Sequence, residues 1–206
     1  MFATRLDEAG GRVSFAHPSD LTQAVIGAVD PASPVVLTPE LSWLVGALRD
    51  RGIAAVVGSR AGAAAAEPRG DVEGAVDGDV GRATSGEAGG LIDGDLESLL
   101  RRAGTGVTGC IAAVASSGTI VVGPGGGNGG LIAALPPRHV AILYEIDIRE
   151  SLAETLAVVR ERTAQSLGEY VLVTGPSRTA DIEMMSVVGV HGPVALEVIV
   201  VGGDST

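Results

Sequence analysis

Short apolar runs recur along the chain and are separated by turn-forming residues. They are rich in Val, Ile and Leu, a composition typical of strands that are buried on both faces of a sheet. The runs cover residues 35–37, 53–57, 139–144, 170–174 and 196–201. Each run is followed by a glycine or a polar residue, so we predict five buried strands.

A helical pattern lies between the first two of these strands. Thr38 precedes Pro39, and proline is favoured in the first turn of a helix. The next apolar positions have the i, i+3, i+4 and i+7 spacing of one helix face: Leu41, Leu44, Val45 and Leu48. A strand, a helix and a strand in this order predict two parallel strands joined by a crossover helix. We therefore expect an α/β protein with a Rossmann-like, mainly parallel sheet and flanking helices.

The remaining pattern predicts the other elements of this domain. We expect helices over residues 2–9, 20–29 and 96–103, and a strand over 12–15. A longer helix is predicted over 149–167, with Leu152, Leu156 and Val159 facing inward. Residues 106–114 and 119–122 are predicted to form a hairpin through the turn at 115–118. No repeat or linker divides the chain, so residues 1–206 are expected to form one domain.

The apolar pattern disappears over residues 60–90, which are dominated by Ala, Gly, Asp and Glu and contain no aromatic residue. A segment of this composition cannot bury enough apolar surface to offset the entropy lost on ordering. We therefore predict a flexible acidic loop within the domain. A partner-binding arm or a lid is the alternative interpretation.

Charge and cysteine content exclude several functional classes. The basic residues are 14 arginines and no lysine, and the net charge is −11. The missing lysine excludes Schiff-base chemistry and a Walker-type phosphate loop, and the acidic balance argues against nucleic acid as a partner. Cys110 is the only cysteine and cannot by itself hold an iron–sulfur cluster or a structural zinc, so we expect no metal or bound cofactor. No run resembles a signal peptide or a membrane span, which predicts a cytoplasmic protein without a membrane partner.

A dense group of polar side chains follows the strand at 170–174. Its candidate ligand-binding residues are Ser177, Arg178, Thr179 and Asp181. Gly175 and Pro176 break the strand, and Ser177 or Thr179 is predicted to cap a helix that begins near residue 180. Free backbone N–H groups beside a guanidinium predict a site for a carboxylate or phosphate at the carboxyl end of the sheet. An internal salt bridge from Arg178 to Asp181 or Glu183 is the structural alternative.

Two further turns are candidates for the same site. His191 lies in the Gly-Val-His-Gly-Pro turn at 189–193, and we expect it to face Arg178 across a pocket. A histidine that only holds this turn through backbone hydrogen bonds is the alternative. Gly125 and Gly127 belong to the glycine-rich turn at 123–130, where backbone can approach an anion closely, although the composition by itself favours a flexible turn. Cys110 and His139 are predicted to be structural residues.

Three sequence blocks resemble the LUD-domain family. They are residues 106–109 with 115–122, the Leu-Pro-Pro-Arg-His-Val block at 135–140, and the C-terminal signature at 175–183 with 189–193. The resemblance implies a fold like that of the NagB/RpiA/CoA-transferase group. It also implies a role in L-lactate oxidation beside partner subunits that carry iron–sulfur centres. It further implies that four residues of the C-terminal signature are functionally important: Ser177, Arg178, Asp181 and His191.

The chain departs from the family pattern at three charged positions. Ile111 replaces the usual Asp, Ser116 the usual Glu, and Gly130 the usual Arg, so we expect one candidate pocket to lack three charges. Our leading hypothesis is an accessory subunit of lactate oxidation with a small-anion pocket. The alternatives are a stand-alone enzyme of CoA-transferase-like fold, acting on an acyl thioester or a sugar phosphate, and a non-catalytic sensor of a small ligand. Whether the chain is itself catalytic stays open.

Overall fold

The computed structural model describes residues 1–58, 93–124, 128–163, 168–180, 186–188 and 192–202, with 93–95, 178–180 and 186–188 described by their backbone. The strands of these residues are β1 (Arg12–Ala16), β2 (Val35–Leu37), β3 (Ala55–Val57), β4 (Thr105–Val114), β5 (Thr119–Val122), β6 (Arg138–Tyr144), β7 (Ile148–Arg149), β8 (Val171–Val173), β9 (Arg178–Ala180), β10 (Ser186–Val188) and β11 (Ala195–Val201). The helices are α1 (Phe2–Glu8), α2 (Leu21–Ala28), α3 (Leu44–Asp50), α4 (Asp93–Arg102), α5 (Gly129–Ala134) and α6 (Leu152–Arg162). Three short 3₁₀ turns cover Pro18–Asp20, Pro39–Leu41 and Glu145–Asp147.

Six strands form a parallel sheet in the order β1-β11-β6-β4-β2-β3. The chain passes from β2 to β3 on one side and then returns to β4 on the other side of β2. The strand order therefore reverses between β2 and β4, which makes their carboxyl ends a topological switch point. This architecture confirms the predicted α/β fold with a mainly parallel sheet and flanking helices.

β4 is long enough to belong to two layers. Its first half pairs with β2 and β6, and its second half pairs antiparallel with β5, as the predicted hairpin requires. The register of this hairpin shifts between Cys110 and Ala112, so Ile111 lies at a bulge. β8 then pairs antiparallel with the other edge of β5. A bulge increases local twist, which lets the second half of β4 leave the plane of the parallel sheet.

The core lies on both faces of the parallel sheet. On one face, α2 and α3 bury Val25, Leu44 and Leu48 against the sheet. On the other face, Phe2 and Leu6 of α1 and Ile120 of β5 pack against inward-facing residues of β6 and β11. Each strand of the centre is therefore covered twice, which explains why its sequence is continuously apolar instead of alternating.

Two predicted helices differ from the structure. Residues Arg178–Ala180 form a strand that pairs with Ser186–Val188, so the predicted helix from residue 180 is wrong at its start. Thr179 faces Val187 in this pairing, and β-branched residues favour a strand over a helix. The helix predicted over 149–167 begins at 152, because Ser151 and Glu154 form a capping box there, and it ends at Arg162.

The inward face of α6 and the strand before residue 175 also need correction. Leu152 and Leu156 are exposed, whereas Thr155 and Val159 face the protein. The Thr155 hydroxyl donates to the Ala113 carbonyl at 3.2 Å, so a polar residue joins this helix to β4. β8 is a partly exposed edge strand with Leu172 47% accessible, and it is not the buried central strand that its apolar sequence predicts.

Candidate functional site

The two segments of the C-terminal signature lie side by side. The Ser177 amide donates to the Pro193 carbonyl at 2.9 Å. A side chain added to Gly192 would bring its Cβ to 3.0 Å from the Ser177 Cβ, so glycine permits this approach. The structure thus joins the turn after β8 to the turn before β11, two segments that are 16 residues apart in sequence (193 minus 177).

The position of this junction differs from the expected one. Gly192 and Pro193 precede β11 and therefore lie at the amino end of the parallel sheet, not at its carboxyl end. The turn after β8 reaches them because β8 belongs to the antiparallel layer beside the sheet. The Ser177 N–H is also already bonded to Pro193, so it does not contribute a free donor to an anion.

A chain of hydroxyl groups extends from the hairpin turn to this junction. Ser117 Oγ lies 2.7 Å from Thr119 Oγ1, which lies 2.7 Å from Thr174 Oγ1. The pairing of Ile120 with Val173 places Thr119 opposite Thr174, directly before the Gly175–Pro176 turn. No pattern in the sequence marks these three hydroxyls as site residues. The register of β5 with β8, which the sequence does not reveal, brings them to the signature.

The Leu-Pro-Pro-Arg-His block contacts the same junction. The amides of Val194 and Ala195 donate to the Pro137 carbonyl at 2.8 Å and 3.2 Å. The three blocks that resemble one family therefore meet in one region, which we call the motif corner and define as residues 117–119, 135–139, 174–177 and 192–195. Backbone contacts link Pro137 to Val194, and Pro193 to Ser177, across it.

Two glycines in the motif corner have backbone conformations that other residues rarely adopt. Gly118 has φ +68° and approaches the Leu6 amide of α1, which would lie 2.4 Å from an added Cβ. Gly175 has φ +81° and lies against the Ala9 carbonyl, 2.5 Å from such a Cβ. The end of α1 is thereby packed against both turns, and a side chain at either position would push them apart.

His139, at the end of the Leu-Pro-Pro-Arg-His block in the motif corner, is fully inaccessible. Its Nε2 lies 2.8 Å from Thr108 Oγ1, and its Nδ1 has no hydrogen-bond partner among the described residues. Burial lowers the pKa of His139 from 6.5 to about 4, because a charged imidazolium would lose its hydration. The ring is therefore neutral at physiological pH, which agrees with the predicted structural role.

The structure describes some of the predicted site residues. Ser177 is half-buried in the turn, and Arg178 and Thr179 belong to β9, opposite Val188 and Val187. Four predicted site residues lie outside the described residues: Asp181, His191, Gly125 and Gly127. The pocket between Arg178 and His191 therefore stays a prediction.

The three positions that depart from the family pattern lie on different elements. Ile111 lies at the bulge of β4, where its Cδ1 atom is 2.6 Å from the place of a Cβ on Gly123, and Gly130 of α5 lies against Val171. Ser116 is exposed in the hairpin turn after β4. The expectation of a single pocket lacking three charges stays a prediction.

A second group of polar residues lies at the carboxyl end of the sheet. The Thr38 hydroxyl donates to Glu40 Oε1 at 2.6 Å after β2. Asp147 is buried after β6 and accepts a hydrogen bond from Arg162. Burial raises the pKa of the Cys110 thiol, and the charges of Asp147 and Glu40 add to this effect. Cys110 therefore stays protonated and is a poor nucleophile, as predicted for an inert core residue.

An open cavity of about 380 Å³ lies at the same end of the sheet. Its lining residues are Pro18, Tyr144, Glu145, Ile146, Val201 and Gly202. The lining is mainly apolar and contains no cation, so it does not favour an anionic ligand. Among the described residues, no cluster of His, Cys, Asp and Glu has the geometry of a metal site. No helix in this part of the chain is long and apolar enough to cross a membrane.

Residues 1–201 match the family model described as LUD domain. The chain belongs to the LUD domain family. Its relatives include proteins named lactate utilization protein C from Geobacillus sp. (strain WCH70), at 36% identity over 48% of this chain and 43% of that protein, and from Deinococcus radiodurans, at 36% identity over 50% and 49%. The Bacillus subtilis (strain 168) protein of this name is 35% identical over 48% and 43%.

The aligned region of this LUD domain protein spans about half the length of the curated relatives that it matches. A crystal structure of a DUF162 family protein from Deinococcus radiodurans has the same fold, with a TM-score of 0.63 over 98% of this chain and 94% of that one. Its sequence identity is 19%, so this likeness supports the fold alone. The family and fold implied by the three sequence blocks are thus confirmed.

Proposed function

We propose that this chain acts in lactate utilization as an accessory subunit that works beside iron–sulfur partner proteins. The observation that carries the proposal is the membership of the LUD domain family together with relatives named lactate utilization protein C. A single cysteine cannot hold an iron–sulfur cluster, and desolvation raises the pKa of the partly buried Cys110 thiol. We therefore assign the redox centres of the system to partner proteins.

The motif corner is the proposed binding region for a small carboxylate or phosphate. Ser177 belongs to it, beside a chain of three hydroxyl groups, and Arg178 and Thr179 follow directly in β9. Neutral hydroxyls and a guanidinium suit the oxygen atoms of such an anion. Asp181 and His191 complete the proposed set of ligand-binding residues. Gly125 and Gly127 are a second proposed anion contact.

The subunit role is tested by purification from the native host. We expect the tagged chain to recover partner proteins that contain stoichiometric iron, whereas the chain alone should be colourless. Iron or flavin bound to the isolated chain would contradict the accessory role and favour a stand-alone oxidoreductase. A thioester formed by the isolated chain with an acyl-CoA would favour the CoA-transferase-like alternative.

The binding region is tested by growth of a strain that lacks the chain and is complemented with variants. Arg178→Lys keeps the charge but loses the planar fork, and His191→Ala removes the imidazole, so both should slow growth on L-lactate. Arg101→Lys, in an exposed pair on α4, is the matched control and should grow normally. Normal growth of the deletion strain would refute the role in lactate utilization. Unfolding of both variants would show that the signature is structural.

A further inference from the structure

One edge of the parallel sheet ends in an unpaired strand among the described residues. β1 pairs with β11 on one side and with no other described strand. The Gly202 amide donates to the Ala16 carbonyl, so the backbone groups of Ala16 point toward β11. Because backbone groups alternate in direction along a strand, those of Val13 and Phe15 point outward from the sheet.

β1 also carries an exposed aromatic residue. Phe15 is 74% accessible, although it lies next to Val200 of the buried strand β11. Proteins that keep edge strands unpaired usually protect them with charged side chains, proline or a bulge. In β1 the only charged residue is Arg12, at the start of the strand, and residues 13–16 contain no charge, proline or bulge and pair with β11 in continuous register.

The edge is complementary to itself in an antiparallel arrangement centred on Ser14. Val13 then lies opposite Phe15 of the second copy, and Phe15 lies opposite Val13 of that copy. The outward N–H and C=O groups of these residues form four hydrogen bonds across the two-fold axis. The same geometry makes two contacts between an aromatic and a β-branched side chain, a favourable cross-strand pair.

The charges near β1 suit contact with a second copy. Residues 9–19 contain no Asp or Glu, although the chain has a net charge of −11. Arg12 faces Ala16 of the second copy, so the two Arg12 side chains are roughly 14 Å apart along the strands, beyond the screening length of about 8 Å. No like charges therefore meet within the contact between the two β1 strands. The remaining repulsion is between the net negative charges of the two copies.

We propose that two copies of this chain associate through their β1 edges and form one continuous sheet. The proposal is independent of the role in lactate utilization. It makes a specific claim about salt. Screening weakens the repulsion between acidic bodies but leaves an uncharged interface intact, so added salt should tighten the dimer.

The experiment measures the mass of the full chain by analytical ultracentrifugation over a range of protein and salt concentrations. Wild type should sediment with twice the chain mass of 20.5 kDa, and its dissociation constant should fall with added salt. Phe15→Lys loses both aromatic contacts and should weaken association about tenfold or more. Phe15→Pro also removes two outward N–H donors and should give a monomer.

Leu156→Lys is the matched control, because Leu156 is 46% accessible and lies on α6, a helix that packs against β4. It makes the same charge change and should leave the mass of wild type unchanged. Circular dichroism should show that every variant is folded. A monomeric wild type, a dimer that survives both Phe15 variants, or a dimer that salt dissociates would each overturn the proposal.

Discussion

At the scale of single residues, two glycines differ in whether a larger side chain would fit in their place. Gly106 of β4 lies against α5, where an added Cβ would be 2.0 Å from the Ile132 carbonyl oxygen. Gly46 lies inside α3, and an added Cβ would meet no atom within 4 Å. The sequence does not reveal this difference, since Gly46 lies between Val45 and Ala47 and Gly106 lies between Thr105 and Val107.

We expect Gly106→Ala to lower the free energy of unfolding by about 3 kcal/mol, because the neighbour is rigid backbone. Gly46→Ala should raise it by about 0.5–1 kcal/mol, because alanine is the better helix former. Urea unfolding of the two variants provides the measurement. Equal effects of the two substitutions would show that α5 does not pack against β4 as closely as described.

His139 predicts a dependence of stability on pH. Its pKa is about 4 in the folded state and near 6.5 when unfolded, so protons bind the unfolded state more strongly. The contribution of this group to the free energy of unfolding is fully present above pH 6.5 and is lost as the pH falls toward 4. Between pH 7 and pH 5 we expect a loss of about 2 kcal/mol from this residue alone.

The measurement compares wild type with His139→Gln by urea unfolding at pH 7 and pH 5. The variant should lose about 2 kcal/mol less over this interval, because glutamine does not titrate. The comparison uses the change with pH, so any loss of packing in the variant cancels. The same pH dependence in both proteins would mean that His139 is not held neutral by burial.

At the scale of elements, one arginine connects three of them. Arg162 at the end of α6 donates through Nη1 to the Ile111 carbonyl at 2.6 Å, and through Nη2 to Asp147. These contacts join the helix, the bulge of β4 and the 3₁₀ turn after β6. Since the bulge marks where β4 changes partners, Arg162 stabilises the point at which the two sheet layers diverge.

Arg162→Met should therefore lower the free energy of unfolding by about 2–3 kcal/mol, since it removes a cation from a buried carboxylate. Arg101→Met breaks an exposed pair with Glu97 and should cost no more than about 0.5 kcal/mol. Chemical denaturation at low and high salt gives both values. If Arg162→Met lowers the free energy of unfolding by less than 1 kcal/mol, apolar packing and not Arg162 holds the two sheet layers together.

At the scale of the whole molecule, residues 60–90 separate β3 from α4 and contain six of the 25 acidic residues. They lie outside the described residues, and their expected flexibility stays a prediction from composition. The elements on both sides of them are packed: Ala55 of β3 is buried, and so are Leu96 and Leu100 of α4.

Deleting residues 60–90 should leave the thermal midpoint within a few degrees of wild type, because a chain of this composition buries little apolar surface. The closure of the remaining loop changes stability only slowly with its length. Differential scanning calorimetry is the measurement. A midpoint lowered by ten degrees or more would mean that the segment packs on the core.

The sequence by itself determined the α/β class, the parallel strands and the hairpin, because continuous apolar runs and helix stripes depend on local periodicity. Prediction from the sequence failed where pairing with another strand decides the local structure. Apolar residues 170–174 belong to an edge strand instead of a central one, and Arg178–Ala180 pairs as a strand instead of capping a helix. In both cases pairing with another strand, β5 for residues 171–173 and β10 for residues 178–180, overrides the structure that local propensity alone would assign.

The candidate site shows the same division. The family signature was recognisable in residues 175–183 and 189–193, but only the tertiary structure brings Ser177 to Pro193 and Thr119 to Thr174. Those contacts depend on the register of β5 with β8 and on glycines that permit close approach. Periodicity along a chain specifies which face of an element is buried. Which elements meet, and at which end of the sheet, depends on packing between residues far apart in sequence, and that decides where a site is built.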